Sequence, residues 1–189
     1  MPNTTLPTIL IVPGLRDHVE DHWQTHLARE LAASYRVVTV EPLVEDKLSC
    51  AARVQAIQDT VASIDGPFIA VAHSGGVIMF AHWARQHRAA VHAALLVTPP
   101  DFDTPMPAGY PSLDTLRANG WLPVPDGPLP FPTLVATSTN DPLSSEARAR
   151  ELARRWGSPW LSLGAVGHLN PASGFGPWPM ARTLIEKLL

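Results

Sequence analysis

Short apolar runs recur along the chain at Thr8 to Val12, Arg36 to Val40, Pro67 to Ala72, His92 to Val97 and Thr133 to Thr137, with a weaker one at Trp160 to Leu163. They are continuous rather than alternating and mostly rich in β-branched residues. That is the pattern of strands covered on both faces. Between them the apolar positions follow a helical period. Asp21 to Ala33 carries Trp23, Leu27 and Leu31 on one side, and Ser49 to Ile64 carries Val54, Ile57, Val61 and Ile64. Further helices are predicted over Gly76 to Gln86, over Ser144 to Trp156, which opens on a Ser-Ser-Glu capping pattern, and over Pro179 to Leu189. Strands alternating with helices predict βαβ units: a single-domain α/β fold over residues 1–189, a three-layer sandwich around a mostly parallel sheet of about six strands.

One stretch breaks this rhythm. Pro99 to Pro132 is rich in proline and glycine and offers one short helical pattern, Ser112 to Ala118. A long irregular connection in a compact domain usually serves function. This one is too short for a large cap domain, so an open, shallow site is expected. Its Phe102, Met106, Tyr110, Leu113 and Trp121 are candidates for an apolar wall or for a cover over the sheet edge.

Composition narrows the classes. The 189 residues are 46% hydrophobic and 16% charged, which is globular, and the formal net charge of -3 gives no reason to expect nucleic acid or an anionic membrane as partner. The polar start, Met1 to Pro7, lacks the basic and apolar regions of a secretory leader. No apolar stretch reaches the roughly 20 residues of a membrane helix. A cytoplasmic location is therefore expected. The lone Cys50 forms no internal disulfide, and no glycine-rich turn presents it, so it is read as a small packed residue. Neither CxxC nor HExxH spacing occurs, so no metal and no cofactor is expected.

The sharpest feature is Ala72-His73-Ser74-Gly75-Gly76, which directly follows an apolar strand and precedes a helix. This is the context of a nucleophile elbow, G-x-S-x-G, with alanine at the first glycine. The tight turn lifts a serine hydroxyl off the sheet, and the residues flanking it at two places are expected to crowd one another and so to be small. Gly76 meets that demand and Ala72 departs from it by a methyl. The plainer reading is that Ser74 only caps a helix.

A serine nucleophile on this fold needs an acid and then a histidine later in the chain. Of the histidines after Ser74, His82 and His87 fall on or at the end of the following helix, and His92 begins a strand. His168 alone follows the later strands, in a loop where Gly167 supplies backbone freedom. Asp141, in Ser138-Thr139-Asn140-Asp141-Pro142, sits at the carboxyl end of a strand, the edge where α/β sheets keep their sites. Asp101 and Asp103, after the preceding strand, are its rivals. The oxyanion of an acyl transfer needs two backbone N–H donors: Gly75, after the nucleophile, and Leu15, in the loop after the first strand, where Gly14 permits the turn.

These motifs together resemble the small serine hydrolases related to retinoblastoma-binding protein nine. The resemblance rests on Pro13-Gly14, Asp21-His22-Trp23-Gln24, His73-Ser74-Gly75-Gly76, Asn140-Asp141-Pro142, Gly167-His168-Leu169-Asn170 and Ser173-Gly174-Phe175-Gly176-Pro177-Trp178-Pro179, and runs over nearly all of the chain. It implies a nearly lidless α/β-hydrolase with a triad matching Ser74, Asp141 and His168, acting on small acyl substrates. The Leu-x-Cys-x-Glu motif behind the retinoblastoma-binding name is absent, since Leu48-Ser49-Cys50-Ala51-Ala52 ends in alanine, and such a partner is not implied. His22 and Trp23 are read as structural. Trp178 either floors a pocket beside His168 or docks the last helix. The expected activity is hydrolysis of carboxylic esters or amides, or acyl transfer. The alternative is a binding or regulatory protein on a hydrolase fold without turnover.

Overall fold

The computed structural model describes residues 6–17 and 19–189. Most of the polar start read against a leader, residues 1–5, lies outside the described residues. The strands are β1 (Thr8–Val12), β2 (Val37–Thr39), β3 (Phe68–His73), β4 (Val91–Val97), β5 (Thr133–Thr137) and β6 (Trp160–Ser162). They form one sheet in the order β2-β1-β3-β4-β5-β6, and every neighbouring pair is parallel. The helices are α1 (Trp23–Leu31), α2 (Cys50–Ala62), α3 (Gly75–Gln86), α4 (Leu113–Ala118), α5 (Glu146–Arg155) and α6 (Met180–Glu186). Each predicted element is present, with ends shifted by at most a few residues.

Side-chain alternation divides the sheet into two cores. Leu10 and Val12 of β1, Phe68, Ala70 and Ala72 of β3, and Leu96 of β4 pack under α2, α3 and α5. Ile9, Ile11, Ile69, Val71 and Leu95 face the other way, against Trp23, Leu27 and Leu31 of α1 and Leu184 and Ile185 of α6. The faces follow from strand order. The path from β1 to β2 moves one way across the sheet, and from β2 onward it moves the other way. A right-handed crossover then puts α1 on one face and α2, α3 and α5 on the opposite face. The central strands β1 and β3 are buried along their whole length, as their continuous apolar runs predict. The edge strands β2 and β6 are only partly covered.

Helix starts are capped as their sequences require. Ser49, Ser112 and Ser145 each accept a hydrogen bond from a backbone N–H in the first turn of α2, α4 and α5. The irregular stretch from Pro99 to Pro132 contains α4 and is bolted down at its start: Asp101 accepts from Arg148 Nε (2.9 Å) and Nη2 (3.1 Å) of α5. Among the described residues, no helix is long and apolar enough to cross a membrane.

Candidate active site

Strand order reverses direction between β1 and β3, which splits the loops at their carboxyl ends and opens a crevice there. Ser74 stands at that point, between β3 and α3, with φ 55° and ψ −132°. A non-glycine residue in such a conformation costs about 1–3 kcal/mol and persists only where its surroundings impose it. Here the Ser74 N–H donates to Val97 O of β4 (3.0 Å). Glycines clear the space around it. A Cβ on Gly76 would lie 2.5 Å from the carbonyl oxygens of both Val12 and Pro13, and one on Gly75 would lie 2.7 Å from Leu15 Cγ. A Cβ on Gly14 would lie 3.2 Å from Ser74 Cβ.

Two local expectations need correction. The atoms that crowd Gly76 belong to the end of β1 rather than to Ala72, because α3 starts directly against that strand. Gly14 is needed for close approach to Ser74 and not for a positive φ, since it is not among the left-handed glycines. Because both neighbours of Gly76 are backbone, no rotamer change makes room for a methyl. Gly76→Ala is expected to destabilise the fold by about 1–3 kcal/mol, as overpacking does, read from the urea unfolding midpoint.

The Ser74 hydroxyl makes no cap to its own helix. It donates instead to His168 Nε2 at 2.7 Å. On the far side of that ring, Nδ1 lies 2.8 Å from Asp141 Oδ2 and 3.0 Å from Oδ1. A carboxylate only accepts, so Nδ1 carries the proton and Nε2 presents its lone pair to Ser74. Both side chains are shielded: that of His168 is 6% exposed and that of Asp141 2%. Asp141 Oδ1 also accepts from Leu143 N–H at 2.8 Å, which fixes the carboxylate plane. Gly167 has φ +58° and donates to Asn140 Oδ1 (2.6 Å), and His168 N–H donates to Ser173 Oγ (3.0 Å). Asn140 and Ser173 thus hold the histidine loop from both sides.

The other candidates are engaged elsewhere. Asp101 and Asp103 pair with Arg148, and Asp103 also with Arg155. His82 Nε2 donates to Trp121 O, His87 stacks on Trp83, and His92 Nε2 donates to Leu189 O. Burial pushes the Cys50 thiol up to about 12, so it stays protonated, which matches its reading as a packed residue. Trp178 packs edge-on against Trp23, with ring centroids 5.0 Å apart, and so docks the last helix; it does not floor the pocket. Trp23 is core. His22 caps α1 by accepting from Gln24 N–H (3.2 Å), and its ring also lines the crevice.

Three further residues have roles that the sequence did not assign: Gln24 and His73 stand in the motifs quoted above without one, and Arg53 stands outside them. Gln24, buried on α1, donates through its amide to Val12 O (3.1 Å) and Val71 O (2.9 Å), joining the ends of β1 and β3 beneath the site. Arg53, buried on α2, donates to Leu15 O (3.1 Å) and Lys47 O (2.9 Å) and pairs with Asp17, which pins the loop after β1. His73 Nε2 donates to His168 O at 2.9 Å, and its ring lies between those of His22 and His168, at 4.6 and 5.0 Å. A polar side chain beside a helix's apolar stripe, as Gln24 and Arg53 are, is the one sequence signal for such roles.

Burial, reinforced by the neighbouring histidines, holds His73 well below the usual histidine value of 6.5. Burial likewise lowers His82. The unfolded chain then binds protons near pH 6 that the folded chain refuses. Stability is therefore complete above about pH 6.5 and is lost as pH falls below it, by up to about 1.4 kcal/mol per pH unit for the buried His73 and by less for the partly exposed His82, where water screens the charge. Urea unfolding at pH 7.5 and 5.5 reads this loss. His73→Gln, which keeps an N–H donor, is expected to make it shallower.

The crevice is a cavity of about 520 Å³ with Ser74, Gly75 and His168 in its wall. This is within the roughly 300–1,000 Å³ of ligand pockets. The irregular stretch contributes Phe102, Met106 and Tyr110 to its wall. Leu113 and Trp121 do not reach it: Trp121 is fully buried beneath, donating to Leu48 O (2.7 Å). Among the described residues, no cluster of three or more His, Cys, Asp or Glu is arranged to hold a metal.

Residues 9–187 match the model of a family described as serine hydrolase. Among solved structures, a YdeN-like hydrolase from Pectobacterium atrosepticum is 27% identical, with a TM-score of 0.77 over 96% of this chain and 89% of that one. The YdeN protein of Bacillus subtilis is 17% identical, with a TM-score of 0.75 over 97% and 98%. A thermophilic esterase from Thermogutta terrifontis is 17% identical, with a TM-score of 0.65 over 97% and 91%, and shares the α/β-hydrolase fold. No curated protein sequence matches the chain.

Proposed function

The chain belongs to the serine hydrolase family, and from that premise we propose that it cleaves small acyl substrates through an acyl-enzyme on Ser74. His168 is the general base and Asp141 the acid that orients it. Carboxylic esters are the expected substrates, with amides as slower ones. The observation that carries this reading is the unbroken hydrogen-bonded chain from Ser74 Oγ through the His168 ring to Asp141, opening onto the cavity.

Ser74 Oγ attacks the carbonyl carbon as His168 Nε2 takes its proton. The negative charge of Asp141 stabilises the imidazolium that forms. The tetrahedral oxyanion is received by the backbone N–H groups of Gly75 and Leu15. Their adjacency is supported by the contact between Leu15 Cγ and the position of a Cβ on Gly75. Gly75 also opens α3, whose N-terminal end favours negative charge. His168 then returns the proton to the leaving oxygen or nitrogen. Water repeats the sequence on the acyl-enzyme and regenerates Ser74. The apolar walls at Phe102 and Met106 suit hydrocarbon acyl groups.

The test is hydrolysis of p-nitrophenyl esters of two- to eight-carbon acids, with the matching p-nitroanilides. Turnover by the wild type with an initial burst, and none by Ser74→Ala, is the expected result. A folded wild type that turns over none of them overturns the proposal.

A further inference from the structure

The cavity wall carries more positive charge than an apolar acyl pocket requires. Besides the histidines, its charged side chains are Arg16, Asp17 and Lys47. Asp17 is paired with the buried Arg53, so its charge is cancelled. Arg16 and Lys47 form no ion pair among the described residues. Glu45 and Asp46, next to Lys47 in the chain, are exposed and do not line the cavity. A protein of net charge -3 therefore presents two uncancelled cations to one apolar cavity.

Their placement is built. Arg53 donates to the carbonyl of Leu15, the residue before Arg16, and to the carbonyl of Lys47 itself, so one buried guanidinium ties the two cation-bearing segments together. The Arg16 guanidinium lies over the Tyr110 ring, 5.5 Å from its centroid, and Tyr110 is another wall residue. Two like charges brought to one rim repel, and an anion between them relieves that repulsion.

The cavity has two sides relative to Ser74. His168 must protonate the leaving group, so the leaving group lies on the side of His168, Asn170 and Pro171. Leu15 and Arg16 follow β1, and Lys47 and Leu48 follow β2, strands on the other side of β3 from β6, whose following loop carries His168. The group lodged there is the acyl chain. We propose, resting on the hydrolase reading above, that the acyl group carries a free carboxylate at its far end: the substrate is a half-ester or half-amide of a dicarboxylic acid, and Arg16 and Lys47 read its carboxylate. The methylene spacer crosses the apolar wall while the carboxylate reaches the rim. In the reaction, Ser74 Oγ bonds to the ester carbonyl carbon and the bond to the leaving oxygen breaks. Water then cleaves the acyl-enzyme, releasing the dicarboxylate and restoring Ser74.

The matched pair that tests this is mono-p-nitrophenyl adipate against p-nitrophenyl hexanoate, with acyl chains of equal length. They are compared by kcat/KM on the wild type and on the double variant Arg16→Gln, Lys47→Gln, with circular dichroism confirming the fold. The expected result is a preference for the adipate ester of about tenfold or more at low ionic strength, shrinking in about 0.5 M salt and falling toward one in the double variant. Equal rates for the two esters, zero included, or a preference for hexanoate, overturn the carboxylate reading. So does a preference that survives the double substitution. Whether the hydrolase reading falls too is decided separately, by fluorophosphonate labelling of wild-type Ser74: retained labelling with no adipate preference removes only this inference, and lost labelling removes both.

Discussion

His168→Ala lowers kcat toward a short-chain p-nitrophenyl ester by on the order of 10⁶-fold, the size of loss seen when a triad histidine is deleted. Among the described residues the ring is the only side chain hydrogen-bonded to Ser74 Oγ, at 2.7 Å, so no neighbouring base substitutes for it. His73 is close in space, but its Nε2–H is donated to the His168 carbonyl and its ring is held neutral by burial. Stopped-flow or long-time steady-state assays on folded variant measure the loss. A reduction of less than about 10²-fold, with the variant's melting curve close to wild type, would assign the proton transfer to another group.

Asp141→Asn lowers kcat by about 10⁴-fold while leaving the fold in place. The reason is specific to the hydrogen bonds around the carboxylate. Oδ1 accepts from Leu143 N–H at 2.8 Å, so an asparagine must keep its oxygen there and turn its amide nitrogen toward His168. An N–H facing Nδ1 makes that nitrogen the acceptor, which moves the ring proton to Nε2. The ring then points a donor at Ser74 and cannot take its proton. Alanine at the same position leaves the tautomer free and removes the charge. The asparagine variant is accordingly expected to be as impaired as the alanine variant despite its closer shape. Equal activity of Asp141→Asn and wild type would contradict this role.

Much of this was legible in the amino-acid sequence because the relevant physics is local. Continuous β-branched runs between amphipathic stretches require a parallel sheet with helices on both faces. A serine between the third strand and glycines that open a helix fits a nucleophile elbow. The order Ser74, Asp141, His168 is the order that serine hydrolases of this fold use. What escaped was set by tertiary packing. Gln24 and Arg53 look like ordinary polar residues of surface helices, and only the assembled sheet shows that they serve carbonyls at the ends of β1 and β3 and in the loop after β1. The rivalry between Asp141 and Asp101 had no local solution, because the Arg148 that occupies Asp101 is far along the chain. The cavity's lining also depended on folding, since the irregular stretch from Pro99 to Pro132 has no period that says which of its apolar residues turn inward. Phe102, Met106 and Tyr110 reach the cavity; Trp121 goes to the core and Leu113 stays outside it.

The measurement that tests the central claim most directly is covalent labelling by a fluorophosphonate probe, read by intact mass and peptide mapping on wild type, Ser74→Ala and His168→Ala. A single adduct on Ser74 in the wild type, none in Ser74→Ala and a strongly slowed reaction in His168→Ala is the predicted result. A folded wild type that stays unlabelled while a control hydrolase reacts, or an adduct mapping to another residue, would contradict an activated Ser74 and favour a binding role for this fold.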